Sequence, residues 1–220
     1  MEKFADHWKS IFPATPRKMP LPADAAARIA DESVPIEGSE WYNWWQMIPY
    51  LQIIGALLYL ALSSRPDLMF AVCLLARYSK KKTLQSCYLL CHVLSYISGT
   101  THLGIKYTME FMTTTIEDLM HAFSDADWAG HLNTRRSTAG FLIFMLGAPV
   151  AWSSKLMSTI AASTMESEYM AAFHCSQLTI FIRNPFRELN IILVKPTITV
   201  SYTHLRAHET DSYLVCRLLL

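Results

Sequence analysis

From Leu103 onward, the helical spacing of the first half of the chain gives way to short apolar runs broken by turn residues. Leu103–Met112, Leu119–Trp128, Ser137–Leu146 and Ala148–Lys155 each read as strands, Ser137–Leu146 being strongly apolar. Thr164 then opens a helix with Glu166 in a capping-box-like position and an apolar face through Tyr169, Ala172, Phe173, Leu178 and Phe181. Successive strands followed by a helix begin a layer in which the helix covers one face of a sheet. The fold class expected is therefore α/β (α+β). Pro185 falls inside that helix, where an internal proline costs about 3 kcal/mol or forces a kink. The sequence offers no compensating feature for it.

The first half reads differently. Pro13, Pro16, Pro20, Pro22 and Pro35 punctuate the start, so residues 1–47 are expected to be an irregular segment rich in proline and tryptophan. Its end, Trp41-Tyr42-Asn43-Trp44-Trp45, suits either packing onto the next element or a base-stacking platform. Ile48–Leu62 reads as a helix that stops before Arg65-Pro66, because the residue before proline avoids the α region. Asp67–Tyr78 is a second helix, with Leu68, Ala71, Val72, Leu75 and Ala76 on one face, and Thr83–Ile97 is a third, with Gly99 as its stop. Cys87, Cys91 and His92 lie within one turn, but no further metal ligand is near them in sequence, so they are expected to be small core side chains.

The bulk numbers narrow the function. With 220 residues, the chain has room for one large domain or two small ones. It is 52% apolar and 17% charged, enough for a core, and its net charge of +1 does not advertise nucleic-acid binding. Any such binding must come from local patches. Five scattered cysteines with no CxxC pair suggest reduced thiols and an intracellular, cytoplasmic setting. The polar and aromatic first residues do not form a secretory signal. The best membrane candidate, Ile48–Leu62, contains Pro49 and Gln52 and falls short of the roughly 20 apolar residues a span needs. A buried amphipathic helix, with no membrane partner, is the expectation.

The candidate chemistry lies in the carboxylates. Asp125 and Asp127 alternate along a strand, which puts both on one side. Two such groups can share a hard cation such as Mg²⁺, which takes few carboxylates together with water and phosphate oxygens. Glu168, at the start of the following helix, could face that strand if the helix packs across the sheet. A two-metal site of this kind would activate water for phosphodiester cleavage. Spacing alone fits better a solvated strand end beside Glu166 and Glu168 as first-turn acids on a helix dipole, since paired acids are common.

Ser124–Gly130, then Arg135–Phe141, Ala148–Lys155 and Ser163–Ala172 together resemble the ribonuclease H region of copia-type retrotransposon Pol polyproteins. Upstream, Gly55–Leu60, Ser64–Asp67, Ala71-Val72 and Tyr96–Thr100 with Gly104 resemble the segment joining reverse transcriptase to ribonuclease H. The resemblance covers roughly Tyr50 to Thr199. It implies a helical connection over 48–102 and an incomplete ribonuclease H-like mixed sheet with a covering helix over 103–199. By resemblance Asp125 and Glu168 are catalytic carboxylates and Mg²⁺ ligands, with Asp127 a secondary ligand and Trp128 and Trp152 structural. Arg135, Arg136, Ser153, Ser154 and Lys155 become candidates for contacts with the backbone of an RNA–DNA hybrid. The partners implied are that hybrid and the rest of the Pol polyprotein, in the virus-like particle of the parent element.

Departures from the family pattern change the expectation for this chain. No Tyr-x-Asp-Asp occurs, so polymerase chemistry is not expected. Cys91, His92, Ser95 and Ser98 stand where the family carries several basic residues, which weakens a phosphate grip. The family continues after a Pro-x-x-Ile strand with a Cys-Asp-Asn segment holding a third carboxylate. Here Pro196–Thr199 is followed by Val200–Leu220, which resembles the translation of a sequencing-library adapter. On that reading residues 200–220 are not biological sequence, and Asp211, His204 and His208 carry no site. The expectation is an inactive fragment of a Pol polyprotein. The alternatives are a catalytically dead nucleic-acid-binding or scaffold remnant, and a truncated reading frame without function.

Overall fold

A computed structural model describes residues 17–31, 33–107, 120–189 and 198–201. It divides into two compact units, Met1–Gly104 and Ile105–Leu220.

The first unit is helical: α1 (Ala25–Ile29), α2 (Glu40–Met47), α3 (Tyr50–Ser63), a 3-10 turn Pro66–Leu68 running into α4 (Met69–Ala76), and α5 (Leu84–Gly99). Residues 17–47 are thus less irregular than their prolines suggest. Leu21, Ala25 and Ile29 are buried, and the Ser39 hydroxyl accepts the Tyr42 N–H at 3.1 Å to cap α2. The break at Ile48-Pro49 bends α2 from α3 by 52°. Among the described residues no single helix is long and apolar enough to cross a membrane. Instead α3 buries Ile53, Ile54, Leu57 and Ala61 within the unit. Helix α4 is shorter than its periodicity suggests, since Pro66 tightens the entering turn.

Thr83 caps α5 through a reciprocal box with Ser86. Lys82, just before it, closes the far end of α2. Its ammonium donates to the carbonyls of Trp45 at 2.7 Å and Ile48 at 2.9 Å, and lies 4.7 Å from the Trp45 ring centre. A cation at a helix C-terminus satisfies orphan carbonyls and opposes the dipole. The tryptophan cluster packs on α5, with Trp44 stacked on Tyr88 at 5.3 Å between ring centres. Cys87 is fully buried and burial pushes its thiol up to about 11, while the His92 ring meets the Pro20 carbonyl at 3.1 Å.

The second unit is a sheet covered by one long helix: β1 (Met120–His131), β2 (Arg136–Met145), β3 (Ala148–Leu156), α6 (Thr164–Glu188) and β4 (Ile198–Ser201). The strand order is β3-β2-β1-β4. The first three strands are antiparallel and joined by tight turns, whereas β4 runs parallel to β1, His121 opposite Ile198 and Ser124 opposite Ser201. A parallel neighbour needs a crossover, which α6 supplies. The core joins Met120, Ala122, Ile143 and Cys175, with Phe141 and Leu178 packed beside them. Pro185 is accommodated because it lies in the last turn of α6, where both it and Phe181, whose carbonyl loses its donor, are exposed.

The strand expected over Leu103–Met112 has no regular structure from Leu103 to Tyr107, and its remainder lies outside the described residues. Of the adapter-like run, Val200 and Ser201 stand in β4, while Tyr202–Leu220, including His204, His208 and Asp211, lie outside the described residues.

Candidate functional site

Asp125 sits on β1 directly opposite Gly140 of β2, half-buried. One of its carboxylate oxygens accepts the Ala126 N–H at 2.9 Å, and the carboxyl is hydrogen-bonded to Glu168. Burial pushes the Asp125 carboxyl above its ordinary range, with the Ala126 N–H and the Glu168 contact working against that rise. The structure therefore brings together two carboxyls that are distant in sequence. Carboxyls this close repel unless a proton or a cation offsets their charge.

Glu168 reaches this position because the start of α6 is held tightly. The Ser163 hydroxyl accepts the Glu166 N–H at 3.1 Å, and the Glu166 carboxylate accepts the Ala162 N–H at 2.6 Å. Glu166 is thus a capping residue, as its spacing suggests.

Asp127 has a different setting. A methyl group built on Gly130 would overlap its carboxylate, so that carboxylate lies against the Gly130 backbone. Among the described residues no group of three His, Cys, Asp or Glu side chains is placed to hold a metal ion, so Asp127 does not join Asp125 and Glu168 in such a cluster. The ladder keeps Asp125 and Asp127 in alternation, opposite Gly140 and Thr138, and leaves regular register only after Asp127, with a bulge before His131.

The proposed backbone contacts divide. Arg135 is exposed at the β1–β2 turn in a left-handed conformation, φ 53°, and Arg136 opens β2 half-buried. Lys155 is exposed and Ser153 half-buried on β3. Ser154 pairs with the other side of Gly140, and at 2% exposure its hydroxyl is buried with no hydrogen-bond partner among the described residues. In this arrangement it presents nothing to an external strand. Two features were not evident from spacing: the indole N–H of Trp128 donates to the Ala161 carbonyl at 3.2 Å, and the Ser137 hydroxyl accepts the Ala129 N–H at 3.1 Å. Gly130, directly after Trp128-Ala129, was the one sequence signal of an irregular strand.

No family model and no solved structure matches the chain. Among curated proteins, it is 36% identical over 135 residues to Secreted RxLR effector protein 161 of Plasmopara viticola, covering 61% of this chain and 92% of that protein. It is 34% identical over 149 residues to the Retrovirus-related Pol polyprotein from transposon RE1 of Arabidopsis thaliana, and 36% identical over 149 residues to that from transposon RE2. These two matches each cover 68% of this chain but 10% of the polyprotein.

Proposed function

The chain belongs to the retrovirus-related Pol polyproteins of copia-type transposons, of which it is a fragment, and from that premise we propose that its second unit is their ribonuclease H region and its first unit the end of reverse transcriptase with the connection. The meeting of Asp125 on β1 with Glu168 at the start of α6 carries the reading. The parent activity would be metal-dependent hydrolysis of RNA in an RNA–DNA hybrid, in an intracellular setting. In the parent, Mg²⁺ would supply water activation and stabilisation of the leaving oxygen.

The two carboxyls suit part of such a site, since a cation held between them would neutralise both. They are too few to fix two ions, and among the described residues no third ligand joins them. We therefore assign no cleavage step to this chain and propose that it binds a hybrid without cutting it, through Arg135, Arg136 and Lys155. The test is to mix the purified chain with an RNA–DNA hybrid and Mg²⁺ at several salt concentrations. Salt-dependent binding without cleavage is expected, and replacing one phosphate-contacting arginine by glutamine should lower the slope of log affinity against log salt by about 0.9. Mg²⁺-dependent RNA cleavage that is lost in Asp125→Asn would refute the inactive state; absence of hybrid binding would refute the interface.

A second reading has an observation of its own. The matched stretch, 61% of this chain, covers 92% of the 36%-identical effector-named relative, so a protein resembling that part of the chain carries a name that is not a polyprotein's. That favours a scaffold remnant without catalysis, which the same experiment would reveal as neither hybrid binding nor cleavage.

A further inference from the structure

We infer that the bulge at the end of β1 is a positioning device, in which Trp128 sets where α6 begins and so brings Glu168 to Asp125. The inference rests on the site proposed above but uses contacts outside its carboxylates.

The ladder between β1 and β2 is regular as far as Asp127 opposite Thr138, and resumes with His131 opposite Arg136. Between those pairs, Trp128, Ala129 and Gly130 face a single residue, Ser137. Surplus residues on one strand bend it and re-aim their side chains. Ala129 takes a left-handed conformation, φ 54°, and its N–H turns from the ladder to the Ser137 hydroxyl at 3.1 Å. The Asp127 carboxylate packs on Gly130 where an added Cβ would collide with it, so a side chain at that position would displace the carboxylate.

The consequence falls on Trp128. Its indole donates to the carbonyl of Ala161, which is 4% exposed. Ala161 lies in the segment between β3 and α6, which has neither helix nor strand. The start of that segment is tied to the same place, for the Met157 N–H donates to the Ser137 carbonyl at 2.9 Å. The next residue, Ala162, donates to Glu166, and Ser163 caps the helix. The bulge thus grips both ends of the segment that delivers the first turn of α6, and Glu168 follows within that turn and the next. Trp128 adds no reacting group; its role is in placing Glu168.

Trp128→Phe keeps a ring but removes the N–H, and amide hydrogen exchange on the full chain reads the result. The Ala162 and Glu166 amides should exchange roughly fivefold faster, the change expected from losing one ordinary hydrogen bond, with the amides around Cys175 unchanged. A stability cycle between Asp125→Ala and Glu168→Ala should show coupling in the native background and lose it in Trp128→Phe. Unchanged exchange at 162–166, uniform acceleration along α6, or coupling that survives would each overturn the inference. Should Trp128→Phe not fold, Gly130→Ala serves instead: it should lower the unfolding midpoint, and Asp127→Ala should restore most of that loss. An equal loss with and without Asp127 would overturn the bulge mechanism. None of these readouts involves hybrid binding or cleavage. Hybrid binding without the exchange change would sink this inference alone, and the exchange change without hybrid binding would sink the proposed function alone.

Discussion

Arg65→Met should be among the most damaging single changes in the first unit. Arg65 is 1% exposed, an unusual place for a guanidinium, and it is held by a specific set of partners. It donates to Asp67 from Nε at 2.8 Å and from Nη2 at 2.7 Å, and to the carbonyl and hydroxyl of Thr100 at 2.9 Å each. Tyr96 completes the set, donating its hydroxyl to Asp67 at 2.9 Å beneath the guanidinium. These residues come from the turn before α4 and from the end of α5, so the network joins the two. Methionine would fill much of the volume yet leave the Asp67 carboxylate, 8% exposed, with its main counter-charge gone. Breaking a buried pair from one side costs about 3–5 kcal/mol. That corresponds to roughly 10²–10⁴-fold faster exchange of the amides of Val93 and Ile97, which are protected when the unit is folded. Replacing both partners, Arg65→Met with Asp67→Leu, should recover most of the loss, because it leaves no orphaned charge. A cost below about 1 kcal/mol for the single change, or a double variant no better than the single, would refute the reasoning.

Further expectations concern the second unit and the thiols. Burial raises the Asp125 carboxyl above its unfolded value, so the folded chain binds more protons there than the unfolded one. Stability should therefore fall as pH rises from the ordinary carboxylate range through the raised value, and Asp125→Asn should flatten that fall and stabilise the unit at neutral pH, as urea titrations across pH would measure. Ile143→Ala removes a fully buried side chain from the sheet–helix core and should cost about 2–5 kcal/mol by chemical denaturation. The thiols of Cys87 and Cys175 are fully buried and pushed up to about 11 by burial, so both should resist iodoacetamide at pH 8 in the folded chain and react once it is unfolded in urea.

Much of the architecture was legible in the chain because it rests on local rules. The helix ends at Thr83 and Ser163 follow from hydroxyls that cap free N–H groups, and the first three strands of the sheet from apolar runs between turns. Prolines misled at the start of the chain, where buried Leu21, Ala25 and Ile29 and the Ser39 cap outweigh local breakers. In the site, Asp125 and Glu168 stand out by their motifs and alternation holds through Asp127, while the packing of the Asp127 carboxylate on Gly130 beyond the bulge was not legible, because it depends on how the strand bends. Ser154 looked available because its residue type suits phosphate contact, but burial is a property of its neighbours.

The sequence by itself therefore determined the elements, their caps and the order in which acidic and basic residues arrive. The tertiary structure alone decided that α6 crosses back to set β4 beside β1, that the start of α6 is pinned to a bulge, and that Asp125 and Glu168 meet. The reason is physical: capping and periodicity act over a few residues, whereas a carboxyl pair, a buried hydroxyl and a parallel ladder depend on register between segments that are far apart along the chain.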